Sequence, residues 1–174
     1  MTMPEAKLTA ERVRDLLDYN AETGELTWIH PQSRRVSLGT VAGAVSRARR
    51  AKSDRISIGI DGVRYLAHRV IWLWMTGKWP VEHIDHKDMN GANNRWDNLR
   101  EATVFQNHWN VALTSRNKSG VKGVRWDKRS GKWLAEIRDK NKKIWLGLHD
   151  TIEAATAAYR AGALKYHGEF ARVE

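Results

Sequence analysis

The chain of 174 residues contains no cysteine, which excludes disulfide staples and the paired-thiolate zinc knuckles that hold some small nuclease and finger domains together. Any metal bound here has only His, Asp, Glu or Asn to draw on. Long apolar runs are missing too. No window approaches the roughly 18 consecutive apolar residues of a membrane helix, and Met1 to Ala10 has no basic start followed by an apolar stretch. The expectation is a soluble, unprocessed, cytoplasmic chain with no membrane partner. Acid is scarce relative to base, with 20 Asp and Glu against 30 Lys and Arg and a net charge of +10. That balance does not suit an enzyme of small anions and points to a polyanionic partner. The excess is uneven, +3 over residues 1–114 and +7 over 115–174, so the C-terminal third reads as the electrostatic arm. With 41% hydrophobic residues each core is modest, and the nine tryptophans serve first as bulky core filler.

Local patterns divide the chain in two. Thr9 caps an amphipathic helix carrying Val13, Leu16 and Leu17 and ending near Tyr19-Asn20, with Leu8 and Val13 placed as a hydrophobic staple. Gly24 to Trp28 and Gly39 to Val45 read as strands, and the basic cluster Arg47, Arg49, Arg50 and Lys52 as a loop. Arg55 to Ile60, Asp61-Gly62 and Val63 to Tyr65 form a hairpin on a two-residue turn that favours positive φ. Leu66 to Met75 reads as a buried helix stopped by Gly77. A polar, Asn-rich loop runs from Lys87 to Asp97, and Thr103…Gln106 makes a capping box for a helix reaching about Leu113. Thr114 to Gly120 is the best boundary, dividing domains at 1–114 and 115–174. Beyond it, strands over Val121–Asp127, Lys132–Arg138 and Lys142–Leu148 precede an Ala-rich helix that begins after Asp150 and ends before Gly168. Both halves are α+β.

Chemistry concentrates in His83, Asp85, His86, Asn98 and Asn107. On an extended segment Asp85 and His86 point to opposite faces, so one can face a cation while its neighbour faces a water on the other side of a substrate. Asn107 falls at the fourth position of the capped helix and returns a second oxygen ligand. His108, about 100° round the helix, is the second choice.

The run His68-Arg69…Ile84-Asp85-His86…Asn93-Asn94…Asn98-Leu99…Gln106-Asn107, with Gly24-Glu-Leu-Thr-Trp28 as lead-in, resembles the HNH (ββα-metal) nucleases of phages and their homing endonuclease relatives over roughly residues 15–112. The resemblance implies a ββα-metal domain in which Asp85 and Asn107 hold one divalent cation, His86 is the general base, and Asn98 orders the loop that positions it. His68, His83 and Asn94 fall behind these as supporting residues. Asn107 stands where many members have histidine, which makes tight zinc binding less favourable. A carboxylate and an amide oxygen suit Mg²⁺, with Mn²⁺ as an alternative.

Lys118 to Trp126, Lys132 to Arg138, Ile144 to Gly147 and Thr151 to Tyr159 resemble the Apetala-type DNA-binding domain of plant ethylene-response factors over about 118–172. The resemblance implies a three-stranded antiparallel sheet packed on one helix, with the sheet in the DNA major groove. Period-2 alternation separately turns Trp133, Ala135 and Ile137 toward the helix and Lys132, Glu136 and Arg138 away from it. Positions matching the family's DNA contacts are Lys122, Arg125, Glu136, Arg138, Lys143 and Trp145, while the first turn, with Asp127 and Arg129, departs from the plant pattern. Together these readings describe a metal-dependent endonuclease of double-stranded DNA, a monomer or homodimer encoded by a phage or acting in a bacterial host. The rival is a non-catalytic DNA-binding regulator on a relic nuclease scaffold.

Overall fold

A computed structural model describes residues 7–46, 54–110, 113 and 117–171. The chain divides into two compact units between Ala102 and Thr103. The sequence-based boundary at Thr114-Ser115 and the cluster Arg47, Arg49, Arg50 and Lys52 lie outside the described residues. No described helix is long and apolar enough to cross a membrane.

In the first unit α1 (Ala10–Leu16) starts where the Thr9 hydroxyl accepts the Arg12 N–H. It stops at Leu16, short of the expected Tyr19-Asn20. Leu17 turns extended, and β1 (Leu17–Asn20) pairs antiparallel with β2 (Glu25–Trp28). The pairing buries Leu17 and Tyr19 beside Leu26 and Trp28, so tertiary burial overrides a helical continuation. The strand expected over Gly39 to Val45 shrinks to β3 (Ala44–Ser46) plus a single bridge from Val41 to Thr27. Positive φ at Gly39 and Gly43 breaks the run. β3 joins the hairpin of β4 (Arg55–Ile60) and β5 (Val63–Leu66), whose turn places both Asp61 and Gly62 at positive φ, as that turn type requires. α2 (Ala67–Thr76) follows and ends on left-handed Gly77. It buries Val70, Ile71 and Leu73 in a core shared with Val13, Leu17, Ile58 and Ile60. Last come β6 (His83–His86) and β7 (Leu99–Ala102), an antiparallel pair separated by the Asn-rich loop.

The second unit opens with α3 (Val104–Trp109), started by the complete capping box of Thr103 and Gln106 and ending four residues before Leu113. β8 (Val124–Asp127), β9 (Lys132–Asp139) and β10 (Lys142–His149) form an antiparallel sheet in the order β10-β9-β8 against α4 (Ile152–His167). β8 begins at Val124 instead of Val121 because Gly123 sits at positive φ, where a Cβ would fall 2.3 Å from both the Glu136 carbonyl oxygen and the Tyr159 ring. Ala135 and Ile137 bury against Ala155, Tyr159 and Ala163, which fixes which face of the sheet meets the helix. The small alanines let the helix lie close to the strands.

Candidate active site and nucleic-acid interface

β6 and β7 pair Asp85 with Arg100 and His86 with Leu99. Ile84, Asp85 and His86 are all buried, while His83 is exposed opposite Ala102. Asp85 Oδ2 accepts from Arg100 Nε at 3.0 Å and Nη2 at 2.9 Å, a buried charge-assisted pair.

The His86 ring is held from the far end of the loop, with Nε2 3.0 Å from Asn94 Oδ1. An amide oxygen only accepts, so Nε2 carries the proton and the lone pair resides on Nδ1. Burial lowers the His86 pKa, against the opposing effects of the hydrogen bond that His86 donates to Asn94 and of the charges of Asp88 and Asp85. The ring is accordingly neutral at neutral pH. Asn94 is itself buried, and its carbonyl accepts the Tyr19 hydroxyl at 2.9 Å. Burial, with Asp97 adding to it, pushes that phenol up to about 12, so it stays a donor. Gly24, at φ +78°, lies against the same stretch; a Cβ there would fall 2.5 Å from Asn94 C and Arg95 N. The β1–β2 turn therefore cradles the residue that orients His86.

Asn98 organises the rest of the loop. Its Nδ2 donates to Asp88 Oδ1 at 2.9 Å and to the Asn93 carbonyl at 2.7 Å, and its Oδ1 accepts the Asp88 N–H at 3.0 Å. Asp88 takes further donors from Asn90 N and Asn93 Nδ2. Burial alone would raise Asp88, but these donors hold its carboxyl below the usual range. Sequence reading missed Asp88, Tyr19 and Arg100. An acid two residues after His86 in an Asn-rich loop was a usable signal for the first, whereas the other two act from distant or cross-strand positions.

His68, on the first turn of α2, packs edge-on against His86 with ring centroids 5.0 Å apart at 90°. It is 4% exposed, and among the described residues its Nδ1 has no hydrogen-bond partner. Burial above all, helped by the charges of His86, Arg55 and Arg69, pushes its pKa down to about 3. It contributes a neutral packing surface behind the His86 ring. Among the described residues no group of three or more His, Asp or Glu is placed to hold a metal ion. Asn107 lies at the fourth position of α3, in the second unit, with its N–H on the Thr103 carbonyl.

On the second unit's sheet, the register places Trp145 opposite Glu136 and Lys143 opposite Arg138. Arg125 faces Leu134 on the same side. Five of the six expected DNA-contacting residues thus share the face turned away from α4. Lys143 Nζ pairs with Glu136 Oε1 at 3.0 Å, and Trp145 is 65% exposed. Lys122 is different, because it precedes β8 and its ammonium donates to the Trp109 carbonyl at 2.6 Å. Trp126 and Trp133 meet edge-to-face at 5.3 Å, with Trp133 packed at the margin of the core and Trp126 exposed.

A two-stranded ribbon with an ordered Asn loop, leading into a capped helix, and a three-stranded sheet on one helix define an HNH-type nuclease domain followed by a DNA-binding domain. Family models agree: HNH endonuclease matches residues 65–109 and the AP2 domain matches 119–169. Protein 3.8 of Escherichia phage T7 is 34% identical over 107 residues, 60% of this chain and 88% of that protein. The chain belongs to the HNH endonuclease family and carries an AP2 domain. The ethylene-responsive transcription factors ERN3 of Medicago truncatula and ERF010 of Arabidopsis thaliana are 42% and 40% identical over 65 residues each, 36% of this chain. The chain spans only 27% and 35% of those two plant proteins. No solved structure matches the chain.

Proposed function

We propose that this chain is a metal-dependent endonuclease of double-stranded DNA, of the phage or homing type, cutting with its HNH domain and anchored by its AP2 domain. The observation that carries the reading is the mounting of His86: a buried, neutral imidazole with Nε2 committed to Asn94 and the lone pair on Nδ1. In this reading Nδ1 takes a proton from a water whose oxygen attacks the phosphodiester phosphorus. The P–O3′ bond breaks and the departing oxygen takes a proton from solvent water, leaving 5′-phosphate and 3′-hydroxyl ends. HNH nucleases generally use divalent cations. Here Asp85 and Asn107 would hold one, and an oxygen-only pair fits Mg²⁺, with Mn²⁺ able to replace it. The cation would supply charge stabilisation at the phosphate and at the departing oxygen. Arg100 fixes the Asp85 carboxylate in position through its two hydrogen bonds to Oδ2.

The test is relaxation of supercoiled plasmid by the full chain with Mg²⁺, with Mn²⁺ and with EDTA. Cleavage with either metal that EDTA abolishes supports the reading, and nicking against linearisation separates a monomer from a homodimer acting on both strands. Action in the cytoplasm of a bacterial host follows from the same reading. One observation favours the regulator instead: the Asp85 carboxylate already has a guanidinium partner, as a purely structural acid would. Duplex binding with no cleavage under any of these conditions establishes that alternative.

Two further outcomes are expected. Asn98→Ala removes three loop hydrogen bonds and lowers the cleavage rate about 10- to 100-fold without loss of duplex binding, as substitutions behind a site commonly do; an unchanged rate shows that the loop orders itself without this amide. Arg125→Ala, on the open sheet face, weakens duplex binding and reduces the slope of log affinity against log salt by about 1 if the contact is to phosphate. Discrimination falling by about 1–3 kcal/mol at one base pair identifies a base contact instead.

A further inference from the structure

Helix α3 is built into the second unit. The Trp109 ring lies flat on His167 at the end of α4, with centroids 4.2 Å apart and an interplanar angle of 10°. His167 is 6% exposed, and its Nε2 donates to the Arg138 carbonyl of β9 at 2.9 Å, so that ring is fixed to the sheet. Lys122 Nζ closes the C-terminal end of α3 through the Trp109 carbonyl, where a cation is favoured. Val104, Phe105, His108 and Trp109 turn toward the sheet and line a cleft of about 670 Å³ that Lys122 and Tyr159 also border. Asn107, about 100° from His108 on the helix, lies outside that lining. A six-residue helix is too short to persist without tertiary support, and here the support comes from the AP2 domain's own elements.

Resting on the reading of Asn107 as a cation ligand, we infer that the AP2 domain is a working part of the nuclease as well as its anchor: through the Trp109–His167 stack it sets the pose of α3 and hence of Asn107. Trp109 and His167 are then positioning residues for the HNH reaction, although the family's HNH segment ends at residue 109 and His167 lies far beyond it. The same packing turns His108 into the cleft and leaves Asn107 as the ligand on α3.

The full chain is titrated with Mg²⁺ in the plasmid assay, and duplex affinity is measured separately in EDTA. Asn107→Ala and Trp109→Ala should each raise the Mg²⁺ concentration for half-maximal cleavage by about tenfold or more, while affinity in EDTA changes by less than about twofold and Trp109→Phe, which keeps a stacking ring, returns most of the loss. A purely structural Trp109 would lower the amount of active protein without moving the Mg²⁺ half-point. Should Trp109→Ala also weaken duplex binding, His167→Ala and His167→Phe make the same comparison from the other ring. The inference is overturned if Asn107→Ala shifts the half-point and the ring variants do not. An unchanged half-point in Asn107→Ala overturns the ligand assignment itself, and the inference with it.

Discussion

Replacing His86 by alanine is expected to reduce metal-dependent cleavage by about 10³-fold or more, the scale of a lost general base, with duplex affinity unchanged within about twofold. The two effects separate because they belong to different elements. His86 sits on β6, buried against His68 and bonded to Asn94, whereas the open cationic and aromatic face lies on β8 to β10. His86→Gln is the sharper variant. Its amide can still reach toward Asn94 and preserve the loop, but it has no titratable nitrogen. Plasmid nicking and duplex binding measured on the same preparations decide the matter. Nicking in His86→Gln at more than about one tenth of the wild-type rate removes His86 from the role of base.

The second large effect is on stability and arises far from the chemistry in sequence. Gly24→Ala places a methyl group 2.5 Å from the Asn94 and Arg95 backbone at a residue held at φ +78°. The left-handed conformation costs about 1–2 kcal/mol and the overpacking about 1–3 kcal/mol more. Backbone atoms cannot swing aside as a side-chain tip can, so the loop carrying Asn94 must shift and the His86 ring loses its support. Gly62→Ala is the control. Gly62 has φ +76° but nothing within 4 Å of a Cβ, so that variant should lose only the conformational part, about 1–2 kcal/mol. Urea unfolding of both variants, with nicking assayed on the folded protein, tests the pair. Equal losses in the two sink the claim of close backbone approach, and full activity in Gly24→Ala sinks its link to His86.

Much of this molecule was legible as local pattern. The Asp61-Gly62 hairpin, the caps at Thr9 and Thr103 and the alternation of Ala135 and Ile137 depend on neighbours in sequence, and the structure shows each of them. Asn98 was expected to order the loop, and its three hydrogen bonds run within that loop. Misreadings arose where distant residues decide. α1 stops at Leu16 because Leu17 and Tyr19 bury better in a strand opposite Trp28 and Leu26, and the strand toward Val45 is short because Gly39 and Gly43 take positive φ.

The sequence by itself determined the two kinds of domain, the sign of the partner's charge and the residue types of the site, since composition, caps, turns and motif spacing are properties of the chain alone. Tertiary structure decided the rest. It set Asn94 on His86 with Tyr19 behind it, put Arg100 on Asp85, aligned five of the proposed DNA-contacting side chains on one sheet face through strand register, and turned Lys122 and Trp109 into the attachment of α3. Such pairings join residues up to 75 positions apart, and which of many polar groups meet inside a core is fixed by how the elements pack and by the requirement that buried donors and acceptors find partners.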